Sequence, residues 1–309
     1  MTGRLLRAAA RFLLFLWACG SFTFLLARLV PGDPVLAALG PHPRAGDIQR
    51  LRQRLGLERP LPAQYLRFVA RLAVLDLGES LIDRRPVAGL LRRRLKHTLL
   101  LGAAAMTLTL PFSLLLGGLS AWGRSRLWRR LETAFTAFGL AFPVFLLGLL
   151  LILTFSLGLG LLPVSGSGGI EFLVLPAVTL AVPLSALLMR VVRVTLCQEA
   201  RRPYVLLARA KGLTPGQVLR RHVLKNALPP IATVAGLQMG ALLGGAMVVE
   251  NVFSWPGIGT LLVTAVRQRD FPVIQGTALL MAAAYYLANQ LVDLGCERLD
   301  PRIGRERIG

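Results

Sequence analysis

Six stretches of the chain are each long and apolar enough to cross a membrane, and they constrain the fold more than any other feature. They lie at about 9–30, 98–121, 133–160, 172–192, 228–250 and 273–294. A helix of about 20 apolar residues spans the hydrocarbon core of a bilayer. Because no water in that core can satisfy backbone N–H and C=O groups, each stretch is predicted to be helical. We therefore predict an all-α integral membrane protein with six transmembrane helices.

The basic residues indicate how these spans are oriented. The chain has 36 Lys and Arg residues against 15 Asp and Glu residues, a net charge of +21. Nucleic-acid-binding proteins are also basic, but here the positive charge concentrates in loops 123–132 and 190–227 and in the tail, whereas loop 161–171 has none. Short cytoplasmic loops carry the excess of Lys and Arg in membrane proteins. The pattern predicts that both termini are cytoplasmic, and that the lipid bilayer and not nucleic acid is the partner.

The predicted spans divide the chain into three segments. Residues 1–30 form a cytoplasmic N-terminus and the first span, residues 31–97 a small extracytoplasmic helical insertion, and residues 98–309 a core with five spans. The insertion is rich in arginine, but a loop longer than about 60 residues escapes the charge rule. Apolar residues recur at helical spacing on both sides of Pro60, which predicts two amphipathic helices in the insertion.

The segment 201–228, between the fourth and fifth spans, is basic and contains no carboxylate. Gly212 is suited to end a helix in the left-handed conformation, and residues 214–217 (TPGQ) have the pattern of a capping box with proline at the first helical position. We predict a short helix, a stop at Gly212 and a second helix that the proline pair 229–230 interrupts. The pattern alone leaves two interpretations open. The short helix either lies on anionic lipid or inserts its apolar residues 205–208 into a cytoplasmic partner.

The fifth span contains small and polar residues that are candidates for packing or for a transport pathway. These are Gly236, Gln238, Met239, Gly240, Gly244, Glu250 and Asn251. Glycines repeated at every fourth position allow two membrane helices to approach closely. Glu250 and Asn251 end the span at its outer face, where a solvated helix end and a contact with substrate are both compatible with the sequence.

Nothing in the sequence indicates an enzyme or a metal site. None of the three lysines precedes Ser or Thr, so the chain has no nucleotide-binding P-loop. The histidines and the cysteines are widely separated, which gives no ligand cluster. A proton-driven carrier needs carboxylates inside its spans. Asp293 is the main candidate, with Glu132, Glu250 and Glu297 near span ends, and this set is sparse for a proton relay.

Short motifs spread over nearly the whole chain occur together in one known family. In chain order they are ARLVPGDP, RLGLERPLPAQY, YVLLARAKGL followed by RRHVLKNALPP, VENVFSWPGIG, RDFPVIQG and LDPRIG. Together they resemble the permeases of binding-protein-dependent ABC importers, in the branch that transports dipeptides, oligopeptides and nickel. In that family the short cytoplasmic helix is the coupling helix, which inserts into a groove of the nucleotide-binding subunit. The resemblance therefore favours the partner-docking interpretation.

The resemblance also implies site residues, partners and a mechanism. The residues that match the coupling motif are Tyr204, Ala208, Arg209, Ala210, Lys211 and Gly212. Leu206 and Leu207 depart from it, since the branch more often has polar residues there. The implied partners are a second similar permease, two ATP-binding subunits that hold ATP and Mg²⁺, and an extracytoplasmic solute-binding protein.

The chain itself is then a non-catalytic subunit of the bacterial inner membrane, without cofactor or metal, that works by alternating access. Peptides are the expected substrate, and nickel or a metal chelate is the alternative. An ion-coupled secondary carrier is the less favoured class of transporter.

Overall fold

The described part of the chain is built of helices and their connections. A computed structural model of the 309-residue chain describes residues 2–29, 34–39, 44–123 and 125–299. These residues contain no β-strand, although one isolated bridge pairs Glu79 with Pro86. The helices are α1 (Thr2–Leu29), α2 (Pro34–Leu39), α3 (Ala45–Leu55), α4 (Leu61–Ala73), α5 (Val87–Trp122), α6 (Arg126–Ala141), α7 (Val144–Leu151), α8 (Glu171–Glu199), α9 (Pro203–Ala210), α10 (Pro215–Val218), α11 (Leu224–Val252), α12 (Ile258–Gln268) and α13 (Phe271–Leu299). Two π-helical stretches, Ile152–Gly158 and Leu219–Val223, follow α7 and α10. The predicted all-α class is confirmed.

The apolar helices account for the predicted spans. Four of them are long and apolar enough to cross a membrane alone: α1 through Ala9–Leu26, α5, α8, and α13 through Phe271–Val292. Two bent pairs meet the same test only as pairs. One is α6 with the helix Val144–Gly158, and the other joins Pro215–Leu242 to Ala246–Val252. Counting each pair as one span gives the six that the sequence predicts.

The third predicted span is not a straight helix. α6 ends at Ala141 and α7 begins at Val144, and the two axes meet at 105°. Between them Phe142 is extended, with φ −88° and ψ 126°. The ring of Pro143 disfavours the helical conformation in the residue before it. The prolines inside α5 and α8 do not break their helices, so the bend at Pro143 is a property of this site and not of proline alone.

The chain divides into two compact units. One comprises Met1–Thr98 with Pro256–Tyr286, and the other comprises Leu99–Trp255 with Leu287–Gly309. The predicted insertion 31–97 lies in the first unit, together with the first helix, α12 and the beginning of the last helix.

In the first unit a buried carboxylate joins a loop to a helix. Asp270, which is 3% exposed, precedes α13. Its Oδ1 accepts hydrogen bonds from the backbone N–H of Leu81 at 3.2 Å and of Val273 at 3.5 Å, and its Oδ2 accepts one from the Ser80 hydroxyl. Asp270 thereby caps α13. It also connects the loop before α5 to the first turn of α13.

In the second unit α8 is the central helix, and glycines let its neighbours approach it. A Cβ at Gly139 of α6 would lie 2.7 Å from the Cβ of Ala186, and one at Gly117 of α5 would lie 2.8 Å from the carbonyl oxygen of Met189. Both distances are shorter than side chains tolerate. Small residues at these crossings are typical of membrane helices in close contact.

Candidate functional site

The basic segment after α8 folds into the predicted short helix and capped turn. α9 has Pro203 at its first position and ends at Ala210. Gly212 has φ +83°, in the left-handed region where a glycine is favoured. The capping box is formed: Thr214 Oγ1 accepts from the backbone N–H of Gln217 at 3.4 Å, and Gln217 Oε1 accepts from that of Thr214 at 3.0 Å. The helix stop and the second helical start are confirmed.

The chain beyond the capping box differs from the prediction. The proline pair does not interrupt the helix, because the π-helical turn leads into α11, which continues through Pro229 and Pro230. Their missing N–H groups would have bonded the carbonyl groups of Lys225 and Asn226. Both residues are exposed, so water can reach these carbonyl groups.

α9 buries one face within its own unit and leaves the other uncovered. Val205 is fully buried and Ala208 is 5% exposed. They pack in a core that also includes Val218, Val223 and Ala227. Leu206 and Leu207, in contrast, are 62% and 58% exposed. The apolar surface available to a partner is therefore these two leucines, and not the whole stretch 205–208.

The remaining predicted coupling residues lie beside the leucines. Arg209, Ala210, Lys211 and Gly212 are all exposed. Ala210 follows Leu206 by four residues and Lys211 follows Leu207 by four, which places these pairs on one side of a helix. We call this surface, formed by Leu206, Leu207, Ala210 and Lys211, the exposed face of α9.

Side-chain contacts fasten α9 to the ends of α8 and α5. The Tyr204 hydroxyl donates to Glu199 Oε2 at 2.6 Å, and Arg202 Nε lies 3.5 Å from Glu199 Oε1. Burial, and next the hydrogen bond to the Glu199 carboxylate, raise the pKa of Tyr204 above its ordinary value. The Arg209 guanidinium carbon lies 5.9 Å from the centre of the Trp122 ring, within cation–π range. α9 is therefore connected to both helices through side chains.

The glycine stripe of α11 makes a close helix contact at Gly236. A Cβ at Gly236 would lie 2.7 Å from Cγ1 of Val292 in α13 and closer still to its Cγ2. Gly240 is buried, whereas Gly244 is exposed and has no neighbouring atom within 4 Å of an added Cβ. The stripe thus permits the α11–α13 contact at Gly236 and leaves Gly244 on an uncovered surface.

The two pathway candidates between these glycines have different surroundings. Gln238 is 5% exposed, and its Nε2 donates to the Leu184 carbonyl oxygen of α8 at 2.9 Å. Within the described residues its Oε1 has no hydrogen-bond partner. Met239 is 55% exposed. Gln238 is therefore a buried link between α11 and α8, and Met239 is the one that reaches the surface of the unit.

The two polar residues near the end of α11 also differ in their exposure to solvent. Asn251 is exposed, and its Nδ2 donates to the Met247 carbonyl oxygen at 2.7 Å. Glu250 is fully buried. The interpretation as a solvated helix end therefore fits Asn251 and does not fit Glu250.

One buried ion pair was not predicted. Glu132 of α6 is 1% exposed and accepts a hydrogen bond from Arg193 Nη1 of α8 at 2.5 Å. Thr136, one turn further along α6, donates to the other carboxylate oxygen at 3.4 Å. The partners are 61 residues apart, so their pairing leaves no local pattern. The polar pair Glu132 and Thr136 at helical spacing is the one signal in the sequence that polar groups share a buried face.

Comparisons with known families and proteins agree with this architecture. The family described as "binding-protein-dependent transport system inner membrane component" matches residues 113–305, and the family described as the N-terminal component of such membrane proteins matches residues 1–102. The glutathione transport system permease protein GsiC of Escherichia coli strain CFT073 is 39% identical over 280 residues, which are 91% of this chain and 92% of that protein. The protein of the same name from Pectobacterium atrosepticum is 40% identical over the same shares.

Solved structures share the fold at lower sequence identity. An inward-facing form of the MetNI methionine ABC transporter matches with a TM-score of 0.56 and 21% identity, over 69% of this chain and 97% of that chain. An amino acid ABC transporter with histidines matches with a TM-score of 0.54 and 18% identity, over 70% and 94%. The chain thus belongs to the family of binding-protein-dependent ABC importer permeases of the peptide and nickel branch, and is a multi-pass, non-catalytic inner-membrane subunit whose ATPase is a separate subunit.

Proposed function

We propose that this permease imports peptides. The observation that carries the proposal is the similarity to glutathione permeases, which extends over 91% of the chain at 39–40% identity. Glutathione is a tripeptide, and a path that admits it must pass a polar, flexible molecule of peptide size. Among the described residues, no group of three His, Cys, Asp or Glu side chains is placed to hold a metal ion, so no specific observation favours nickel.

The working transporter contains this chain, a second similar permease, two ATP-binding subunits and an extracytoplasmic binding protein. ATP and Mg²⁺ bind to the partner ATPases. The surface for the second permease includes the uncovered side of α11, where Leu237, Gly244 and Val248 are exposed at positions that share one helix face. Both termini and α9 are cytoplasmic, as the basic loops require.

The exposed face of α9 docks into a groove of the ATPase. Two leucines on a basic surface supply apolar area for the contact, and Lys211 supplies charge. Val205, Ala208 and the hydrogen bond of Tyr204 to Glu199 hold α9 to its unit. When ATP closes the two ATPases, the movement of α9 tilts α8 and the helices packed on it, and access changes from one side of the membrane to the other.

The pathway candidates take distinct roles in this mechanism. Met239 contacts the moving substrate or the second permease, since it is exposed. Gln238 keeps α11 bonded to α8 through the Leu184 carbonyl group, and Gly236 maintains the contact with α13. These two residues therefore position the pathway helix and do not touch substrate.

Calorimetry with the partner binding protein tests the substrate. We expect binding of di- or tripeptides, and no binding of nickel either free or with small chelators. Binding of a nickel chelate without peptide affinity would replace peptide by metal as the cargo. The permease assignment would stand in that case, because the family does not depend on the substrate.

A further inference from the structure

A basic cleft in the first unit has no part in the proposed transport mechanism. Its volume is about 1300 Å³, and it is lined by the end of α1, by α3, α4, the loop before α5 and the start of α13. Six arginines line it: Arg28, Arg50, Arg59, Arg67, Arg71 and Arg84. Only three carboxylates line the cleft. One of them, Asp76, accepts a hydrogen bond from Arg71 Nε at 2.8 Å. The cleft therefore carries excess positive charge and attracts anions.

The cleft is lined by the ends of two helices that are apolar enough to span a membrane. Arg28 follows the apolar window of α1, Ala9–Leu26, by two residues, and Phe271 is the first residue of the apolar window of α13. Both residues line the cleft. The ends of two spans thus meet there, and in the proposed topology both ends are extracytoplasmic.

One wall of the cleft is apolar. Phe68 and Leu72, which are half-buried, form its accessible part. Behind them lie Phe24 and Leu279, which are 4% and 5% exposed, and the rings of Phe24 and Phe68 are 5.3 Å apart between centroids. Phe24 precedes Arg28 by one helical turn, and the Arg28 guanidinium carbon lies 4.2 Å from the centre of its ring. The cleft thus changes from apolar to basic along α1, from the membrane outward.

Two arginines at this transition are held by groups other than carboxylates. Arg28 Nη2 donates to Gln64 Oε1 at 2.6 Å, and Gln64 is fixed in turn by donating to the Arg59 carbonyl oxygen at 2.8 Å. Arg67, one turn further along α4, reaches Gly56, where an added Cβ would lie 2.9 Å from its Nη1. No carboxylate among the described residues forms an ion pair with either arginine. Their charges and their other N–H donors are available to a ligand, and a guanidinium suits the oxygens of a phosphate.

From this juxtaposition of Arg28 and Arg67 with an apolar wall, we propose that the cleft binds an anionic phospholipid. The headgroup phosphate accepts hydrogen bonds from the two guanidinium groups. The acyl chains lie along Phe68 and Leu72. A free phosphate ester offers the same headgroup chemistry but leaves the apolar wall without a ligand, so the lipid fits the whole cleft.

Native mass spectrometry of the complete transporter tests the proposal. The complex is released from nanodiscs that contain equal amounts of phosphatidylglycerol and phosphatidylcholine, and the retained lipids are counted. We expect phosphatidylglycerol to predominate. Arg67→Gln lowers the retained ratio of the two lipids about fivefold, and Arg28→Gln together with Arg67→Gln about 25-fold, since each basic residue near a lipid surface contributes about a factor of five. Arg85→Gln is the control, because Arg85 is an exposed arginine of the loop before α5 that does not line the cleft, and it leaves the ratio unchanged.

Additional measurements distinguish lipid binding from the binding of soluble anions or of a protein. Inorganic phosphate and glycerol phosphate are added to the lipid-loaded complex and are expected not to displace phosphatidylglycerol. Displacement by either would assign the cleft to a soluble phosphate and overturn the lipid proposal. Arg67→Gln could instead leave the lipid ratio unchanged and weaken the attachment of the purified binding protein. That result would assign the cleft to protein docking and would also overturn the lipid proposal. Arg67 is exposed, so Arg67→Gln alone decides the test if Arg28→Gln does not fold.

Discussion

Leu206 and Leu207 are the residues through which we expect the ATPase to move this permease. They are exposed on α9, so the fold of the chain does not need them. Leu206→Glu together with Leu207→Glu would place unpaired carboxylates in an apolar groove, which costs more than the roughly 2–7 kcal/mol of an unpaired neutral polar group. We expect substrate-stimulated ATPase activity of the reconstituted complex to fall by at least tenfold, while the permease remains inserted and folded.

Two further variants serve as controls for that prediction. Leu127→Glu changes a leucine with the same 58% exposure outside α9, and the activity should be unchanged. Ala208→Glu buries a charge inside the permease itself, since Ala208 is 5% exposed, and it should lower the amount of folded chain. Normal stimulated activity in the double leucine variant would show that α9 does not couple to the ATPase through this face.

The pair Glu132 and Arg193 is predicted to respond unequally to loss of either partner. Arg193→Gln leaves the Glu132 carboxylate buried without its cation, which costs about 3–5 kcal/mol in comparable pairs. Glu132→Gln leaves a guanidinium that is 34% exposed, which water can solvate, so the loss should be about 1 kcal/mol. Thermal unfolding of the purified transporter measures the stability loss of each variant. Equal losses, or a larger loss for Glu132→Gln, would show that burial of the carboxylate does not dominate this contact.

At the scale of helices, the contact between α11 and α13 depends on Gly236. Gly236→Ala adds a methyl group 2.7 Å from Cγ1 of Val292, and such overpacking costs about 1–3 kcal/mol. We expect Gly236→Ala to lower the melting temperature of the purified transporter. The additional substitution Val292→Ala should restore it. Gly118→Ala in α5 is the control, because nothing lies within 4 Å of its new methyl group. A melting temperature unchanged by Gly236→Ala would mean that the two helices are not in close contact.

The helices that the sequence predicts well are those with a local signal. Apolar length defines the spans, and the residues TPGQ specify the capping box by themselves. Features set by tertiary neighbours are different. Pro143 breaks a span, with an extended residue before it, whereas the pair Pro229 and Pro230 lies inside a continuous helix. The presence of proline therefore does not by itself decide where a helix ends. Ala208 and Glu250 are buried in the fold, and no local sequence pattern predicts that burial.

For the whole molecule, the orientation in the membrane can be measured by cysteine labelling. The three native cysteines are replaced by serine, and single cysteines are introduced as Arg52→Cys, Ser167→Cys and Thr214→Cys, all at exposed positions. A membrane-impermeant maleimide should label positions 52 and 167 in intact cells and position 214 only after lysis, because the basic loops are retained in the cytoplasm. Labelling of position 214 in intact cells would invert the topology.

The central claim is that this permease is driven by ATP hydrolysed on partner subunits. Uptake of a radiolabelled peptide bound by the partner binding protein is measured in proteoliposomes that contain the complete transporter. We predict that uptake requires ATP inside the ATPase-facing compartment and continues when an ionophore collapses the proton gradient. Uptake that persists without ATP and ends with the proton gradient would contradict the account and identify an ion-coupled carrier.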